Sequence, residues 1–218
     1  LFDEFLKLFF HGHARSTYFL LEKYDLLKYL LPMDVLKLSP HMQAFVEQAL
    51  IKTDERVDHD QSVNPAFLLA VFLWPKFVEA TEILKTTRMN PALAAQRAIS
   101  KVLSSNELPM AIPKRFTEII RDIWLLQWRF TQLVRHQGVF VSLHKRFRAG
   151  YDFLVLRAVS DPKLIDAAAW WTHFQAAEHA EQQLLLEQLP LAPKKKKRRK
   201  TQRKKSVGTK NSVHSAGE

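Results

Sequence analysis

Residues 64–75 read NPAFLLAVFLWP. The side-chain oxygen of Asn64 can cap a helix, and Pro65 suits the first helical turn, where a missing N–H costs nothing. The stretch that follows is apolar on every side: Phe67, Leu68, Leu69, Val71, Phe72, Leu73 and Trp74. A helix with no face to give to water belongs at the centre of a packed body. Pro75 is expected to end or kink it. The longest apolar run, 66–74, is nine residues, well short of the roughly twenty that a membrane-spanning helix needs.

Helical spacing continues on both sides of this segment. Over 1–10 the apolar positions are Phe2, Phe5, Leu6 and Phe9, and Gly12 then breaks the pattern. Residues 14–31 carry a stripe of Phe19, Leu20, Tyr24, Leu27 and Leu31 and stop at Pro32. Residues 35–52 form a further helical stretch, interrupted near Ser39-Pro40, and the polar, unpatterned 53–63 read as an internal loop. Asn90-Pro91 repeats the cap-then-proline signature and starts a helix to about residue 103. Pro109 and Pro113 bracket a connector, a long helix runs over 113–135, and Gly138 is expected to break it. Residues 140–158 form one or two helices, depending on Gly150. Asp161-Pro162 opens a last helix to about 189, and Pro190 and Pro193 close the body. There is no internal repeat and no sustained β alternation. The expected fold is all-α, an irregular body of about eight to ten helices followed by a disordered polybasic tail.

That tail sets the charge of the chain. Of 33 Lys and Arg and 22 Asp and Glu, residues 194–218 hold eleven basic and one acidic, which leaves 22 against 21, a net of +1, for 1–193. A tether of this composition has few apolar side chains to bury and cannot offset its ordering entropy. Its partner is a polyanion, since each phosphate neutralised releases condensed counterions. Composition leaves nucleic acid, a nuclear-import signal, and an anionic membrane or plain solubilising role open. The tail has no aromatic residue, so it offers charge without base stacking.

Two folded segments combine basic and aromatic residues. At about 100° per residue, Phe116, Ile119, Ile120, Ile123, Phe130 and Val134 share one stripe. Arg121, Arg129 and Arg135 fall opposite, with Trp128 between Arg121 and Arg135. An exposed indole stacks on a base while guanidinium groups hold phosphate, which makes this a single-strand platform. The pattern alone fits better with Trp128 packed on a neighbouring helix and the arginines solvated or paired to Glu118 and Asp122. Lys145, Arg146 and Arg148 surround Phe147 in a second cluster, although Phe147, Tyr151 and Leu154 also have the spacing of a core stripe.

Catalytic signatures are missing. Cysteine is absent, which excludes disulfides and thiolate chemistry. Neither the nine histidines nor Asp58-His59-Asp60 has metal-ligand spacing, so no metal is expected. There is no phosphate-cradling glycine loop and no strand-borne carboxylate pair for two-metal chemistry. The residues describe a binding body, with no catalytic, cofactor or metal residue to name.

Six segments in this order resemble a known family: 1–4 (LFDE), 18–32 (YFLLEKYDLLKYLLP), 64–75, 112–130 (IPKRFTEIIRDIWLLQWRF), 145–158 (KRFRAGYDFLVLRA) and 170–175 (WWTHFQ). Together they look like the C-terminal part of the bacterial poly(A) polymerase I family, class II nucleotidyltransferases that add adenylates from ATP to RNA 3′ ends. The resemblance implies an RNA-holding body whose chemistry resides in a separate head, so the fragment alone is expected to be inactive. ATP and Mg²⁺ would serve only the full-length enzyme. It divides the chain into 1–60 (end of the neck and RNA-binding helices), 61–193 (Arg-rich C-terminal domain) and 194–218 (tail). The start inside an amphipathic pattern reads as a fragment lacking its N-terminal part.

RNA-facing roles are implied for Lys114, Arg115, Arg121, Trp128, Arg129, Arg135, Lys145, Arg146 and Arg148. Phosphate contacts are implied for Lys194, Lys195, Lys196, Lys197, Arg198, Arg199, Lys200, Arg203, Lys204 and Lys205. The implied partners are single-stranded RNA 3′ ends and proteins of RNA decay, with no membrane, in the bacterial cytoplasm. Two other functions remain open on the residues: an all-α protein-interaction module with a solubilising tail, and the C-terminal part of a CCA-adding enzyme.

Overall fold

The computed structural model of the chain describes residues 2–31, 38–87, 89–104, 108 and 110–191. Among these the chain forms ten α-helices and no strand. They are α1 (Phe2–Phe9), α2 (Ala14–Lys23), α3 (Pro40–Asp58), α4 (Pro65–Thr86), α5 (Pro91–Leu103), α6 (Lys114–Phe130), α7 (Arg135–Ser142), α8 (Phe147–Ser160), α9 (Ile165–Ala176) and α10 (His179–Gln188), with short 3-10 turns at Leu27–Tyr29 and Pro162–Leu164. The expected all-α fold is what forms.

α4 is the hub. The Asn64 side chain accepts from the Ala66 N–H at 3.0 Å, and every residue from 68 to 74 is buried. The helix does not end at Pro75. It continues to Thr86, burying Phe77, Ala80 and Thr81 on the far side. An interior proline costs about 3 kcal/mol because the Val71 carbonyl loses its donor. Packing offsets that cost: Phe77 stacks on Trp124 of α6 with centroids 4.7 Å apart, and the Trp124 indole N–H donates to the Ala70 carbonyl at 3.1 Å.

Two apolar clusters result. The larger joins Phe5, Phe9, Phe45, Phe72, Trp74, Trp124 and Phe153. The smaller joins Leu126, Phe130, Val141, Leu154, Leu164 and Trp171. α6 and α8 contribute to both. Gln127 pins them together: its side-chain amide donates to the Ile123 and Gly150 carbonyls (3.1 and 3.0 Å), and its oxygen accepts from Arg157 at 3.2 Å. Arg157 lies over Trp74 at 4.6 Å, and burial pushes its pKa down to about 10.

Several expected boundaries move. The loop over 53–63 shrinks, because α3 runs on to Asp58. Thr53 is buried and returns its hydroxyl to the Ala49 carbonyl, and the Asp54 carboxylate accepts from the backbone N–H groups of Ala14 (2.6 Å) and Arg15 (3.0 Å). Asp54 thereby caps α2 from another helix, a task its own cap residue, His13, leaves undone. Gly12, at φ +81°, makes the turn between α1 and α2 as expected. The 113–135 helix ends at Phe130, and Val134 opens α7.

Gly138 and Gly150 break nothing. Each lies inside a helix where another element comes too near for a side chain. A Cβ on Gly138 would sit 2.7 Å from Leu189, and one on Gly150 2.8 Å from Phe130. The last expected helix is a 3-10 turn followed by two helices, with extended backbone at Ala177 and Glu178 between them.

Candidate nucleic-acid interface

On the outer face of α6, Trp128 is 52% exposed. Arg121 is also exposed and, like Glu118 and Asp122, makes no ion pair among the described residues. The indole and this guanidinium therefore stand outward together. Arg129 is committed elsewhere: it donates to the Gln137 side-chain oxygen at 2.8 Å and lies 4.1 Å over the Phe140 ring. Arg135 belongs to α7. Its guanidinium donates to the Glu187 carbonyl and its backbone N–H to that of Pro190 at 2.9 Å, which fixes the end of α10. Lys114 and Arg115 are exposed at the start of α6, Arg115 lying 4.8 Å over Phe116.

The second cluster lies on the other side of the helix. Phe147 is half-buried against Phe130, Trp171 and Phe174, so it is core as well as a neighbour of cations. Lys145 is exposed. Arg148 pairs with Asp152 at 3.0 Å. Arg146 is half-buried, and its Nε–H is fully enclosed with no acceptor among the described residues. The backbone N–H of Arg146 donates to His144 Nδ1 at 3.1 Å, and burial lowers the pKa of that imidazole.

Lys145, Arg146, Arg148 and Asp152 form one wall of an open cleft of about 970 Å³. The opposite wall is the end of α3 and the loop after it, carrying Lys52, Arg56 and His59. Arg56 braces the loop by donating twice to the Ser62 carbonyl (3.1 and 2.8 Å), and Lys52 pairs with Glu55 at 2.6 Å. Burial raises the pKa of Asp152, while Arg148 and Arg56 pull it down from the two walls. Ile119 and Ile123 form the floor. At about 100° per residue these two point away from Arg121 and Trp128, so the structure keeps the two basic clusters on opposite sides of α6.

Sequence reasoning missed the far wall, because 53–63 read as loop. The i, i+4 spacing of Lys52 and Arg56 was the available signal. It also missed a surface on α2. The expected stripe of Phe19, Leu20 and Tyr24 faces solvent, while Tyr18, Leu27 and Leu31 turn inward. Phe19, Tyr24 and Tyr29 are 40%, 62% and 63% exposed. Each has a cation over its ring: Arg15 at 5.2 Å, Lys23 at 5.7 Å and Lys28 at 5.2 Å. An alternation of basic and aromatic residues over 15–29 marked it.

The tail residues Lys194 to Lys200, Arg203, Lys204 and Lys205 lie outside the described residues, as do Pro32, Pro109 and Pro193. Among the described residues no group of His, Asp or Glu could hold a metal ion, and no helix is long and apolar enough to cross a membrane.

The family profile described as the arginine-rich C-terminus of polymerase A matches residues 87–205, more than half the chain. The chain belongs to this polymerase A family. A second profile, "Probable RNA and SrmB- binding site of polymerase A", matches residues 1–34. Curated relatives agree. Poly(A) polymerase I of Haemophilus influenzae is 37% identical over 201 residues, covering 89% of this chain and 44% of the relative. The Escherichia coli O157:H7 protein of the same name is 34% identical over 213 residues (94% and 46%), and that of Salmonella typhimurium 34% over 220 (98% and 47%). The chain thus spans less than half the length of these relatives and corresponds to their C-terminal part. Trp128 and the 145–148 wall fall within the arginine-rich match, and the α2 surface within the other.

Proposed function

We propose that this chain is the RNA-holding part of a poly(A) polymerase of the bacterial cytoplasm. In this reading the full-length enzyme extends RNA 3′ ends with adenylates from ATP and Mg²⁺, and these helices retain the single strand. Residues 1–60, 61–193 and 194–218 act as the end of the neck, the arginine-rich domain and a basic clamp. The observation that carries the proposal is the outward Trp128 on the same helix face as Arg121, which makes no ion pair among the described residues, within the segment matching the arginine-rich family. The indole takes a base face, Arg121 and Lys114 take phosphate, and the tail adds sequence-independent attraction.

A titration of the chain with labelled oligo(A) at rising KCl tests this. Log affinity should fall linearly with log salt, and Trp128→Ala should cost roughly 1–3 kcal/mol, the usual value of one stacked base. A salt-independent affinity, or none, overturns the reading. The α2 surface favours a second partner. Five large apolar side chains (Phe19, Leu20, Tyr24, Leu26, Tyr29) are exposed within eleven residues, and the matching family region is described as binding RNA and SrmB. We assign that surface to RNA or to a protein such as SrmB.

A further inference from the structure

We infer that the cleft between the end of α3 and the start of α8 is a phosphodiester site for the RNA strand, with the Arg146 guanidinium as its anion receptor; this rests on the RNA reading above. Five cationic side chains face the cleft (Lys52, Arg56, Lys145, Arg146, Arg148) against two carboxylates (Glu55, Asp152), a surplus of three. The two carboxylates are taken: Glu55 by Lys52 and Asp152 by Arg148. Arg56 spends donors on the Ser62 carbonyl. Lys145 and Arg146 are left without an acidic partner among the described residues, and they are adjacent.

The buried Arg146 Nε–H is the decisive feature. An enclosed guanidinium donor with no acceptor costs about 1–3 kcal/mol or more, and a side-chain shift that opens the Nε–H to the cleft lets a phosphate oxygen relieve it with a charge-assisted bond. Most basic surface groups gain nothing comparable from a phosphate, because water already satisfies them. The volume, about 970 Å³, lies at the upper end of the range for small-ligand pockets. The open mouth suits a strand passing through, and a planar guanidinium can grip two phosphate oxygens at once.

The test uses the 218-residue chain and a fluorescein-labelled oligo(A) followed by anisotropy across a KCl series. Arg146→Gln should weaken binding roughly tenfold or more and flatten the log–log salt slope by about 0.7, the loss of one single-strand phosphate contact. Lys145→Gln, on an exposed side chain, should weaken binding severalfold, and Lys163→Gln, outside the cleft, should change nothing. Wild-type affinity and slope in both Arg146→Gln and Lys145→Gln, with the unaltered chain binding RNA, overturn the cleft site alone. If Arg146→Gln loses helicity, Lys145→Gln decides by itself. Competition by free AMP at low-millimolar concentration overturns the strand assignment in favour of a mononucleotide. No RNA binding by the unaltered chain removes the RNA reading and the cleft site with it.

Discussion

Removing the Asp54 carboxylate should unfasten α2. Ala14 is fully buried, and Asp54 is the only acceptor its N–H has among the described residues. In Asp54→Ala that N–H and the one on Arg15 lose their partner. Loss of a helix cap costs about 0.5–2 kcal/mol, and a buried donor left unpaired costs about 1–3 kcal/mol. The two figures overlap, since both include the Ala14 N–H, so the net is about 2–3 kcal/mol. For a body of this size 1 kcal/mol moves Tm by roughly 2–4 °C, which puts the drop at about 4–12 °C.

Asp54→Asn keeps one acceptor oxygen for the Ala14 N–H but turns its NH2 group toward the Arg15 N–H, so it loses one of the two bonds together with the attraction of a carboxylate to the helix N-terminus, about 0.3–1 kcal/mol, and its cost should fall below that of Asp54→Ala. Urea denaturation followed by circular dichroism gives the totals, and amide hydrogen exchange locates them. Protection should fall first over α2 and leave α6 as before, because Arg15 still holds Glu47 (2.9 Å) but nothing replaces the cap. If Asp54→Ala keeps both the wild-type midpoint and the α2 protection, capping from α3 is not what holds α2 in place.

Gly150→Ala gains about 1 kcal/mol of helix propensity but presses a methyl within 3 Å of Phe130 and Leu126, an overpacking cost of about 1–3 kcal/mol, so thermal denaturation should show no gain and up to 2 kcal/mol of loss. Trp124→Phe leaves the Ala70 carbonyl without its indole donor beside the proline break and should cost about 1–3 kcal/mol by the same measurement. Asp152 has a folded pKa raised chiefly by burial, so its contribution to stability is present below the ordinary aspartate range and is lost as pH rises through the raised value. The stability gap between wild type and Asp152→Asn, read from urea midpoints, should therefore shift against the wild type between pH 4 and pH 7. Deleting 194–218 removes eleven basic and one acidic residue; helicity should stay and the salt slope of RNA binding should flatten by several units, up to about 0.7 for each phosphate released.

The reading of 64–75 located the hub because its signals are local: an asparagine cap, a proline in the first turn and no polar face. The places where reading failed depend on partners distant in sequence. Residues 53–58 look like loop until Asp54 is seen holding α2. Gly138 and Gly150 look like breakers because isolated glycine weakens a helix, whereas here Leu189 and Phe130 occupy the space a Cβ would need. On α2, Tyr18 and Phe19 are neighbours in sequence and periodicity could not choose between them; packing chose Tyr18, which stacks on Phe72. Trp124 and Trp128 are four residues apart and lie within about 40° on the helix, yet one is enclosed by α4 and the other meets water. The basic character of 145–148 was legible, but the cleft was not, since its other wall comes from residues nearly a hundred positions earlier.

α6 separates Trp128 from the cleft as a post separates two sides of a rope. A helix with its side chains is about 10–12 Å across. A strand that touches both sides must bend around it, so short oligonucleotides meet one side only. Once the first side is engaged, the second contact is intramolecular, and its strength is set by the few nucleotides that make the turn rather than by the concentration of RNA. On the proposed RNA reading, modest grips on either side would then suffice to retain a strand that slides, which a single deep groove would hold too firmly to release.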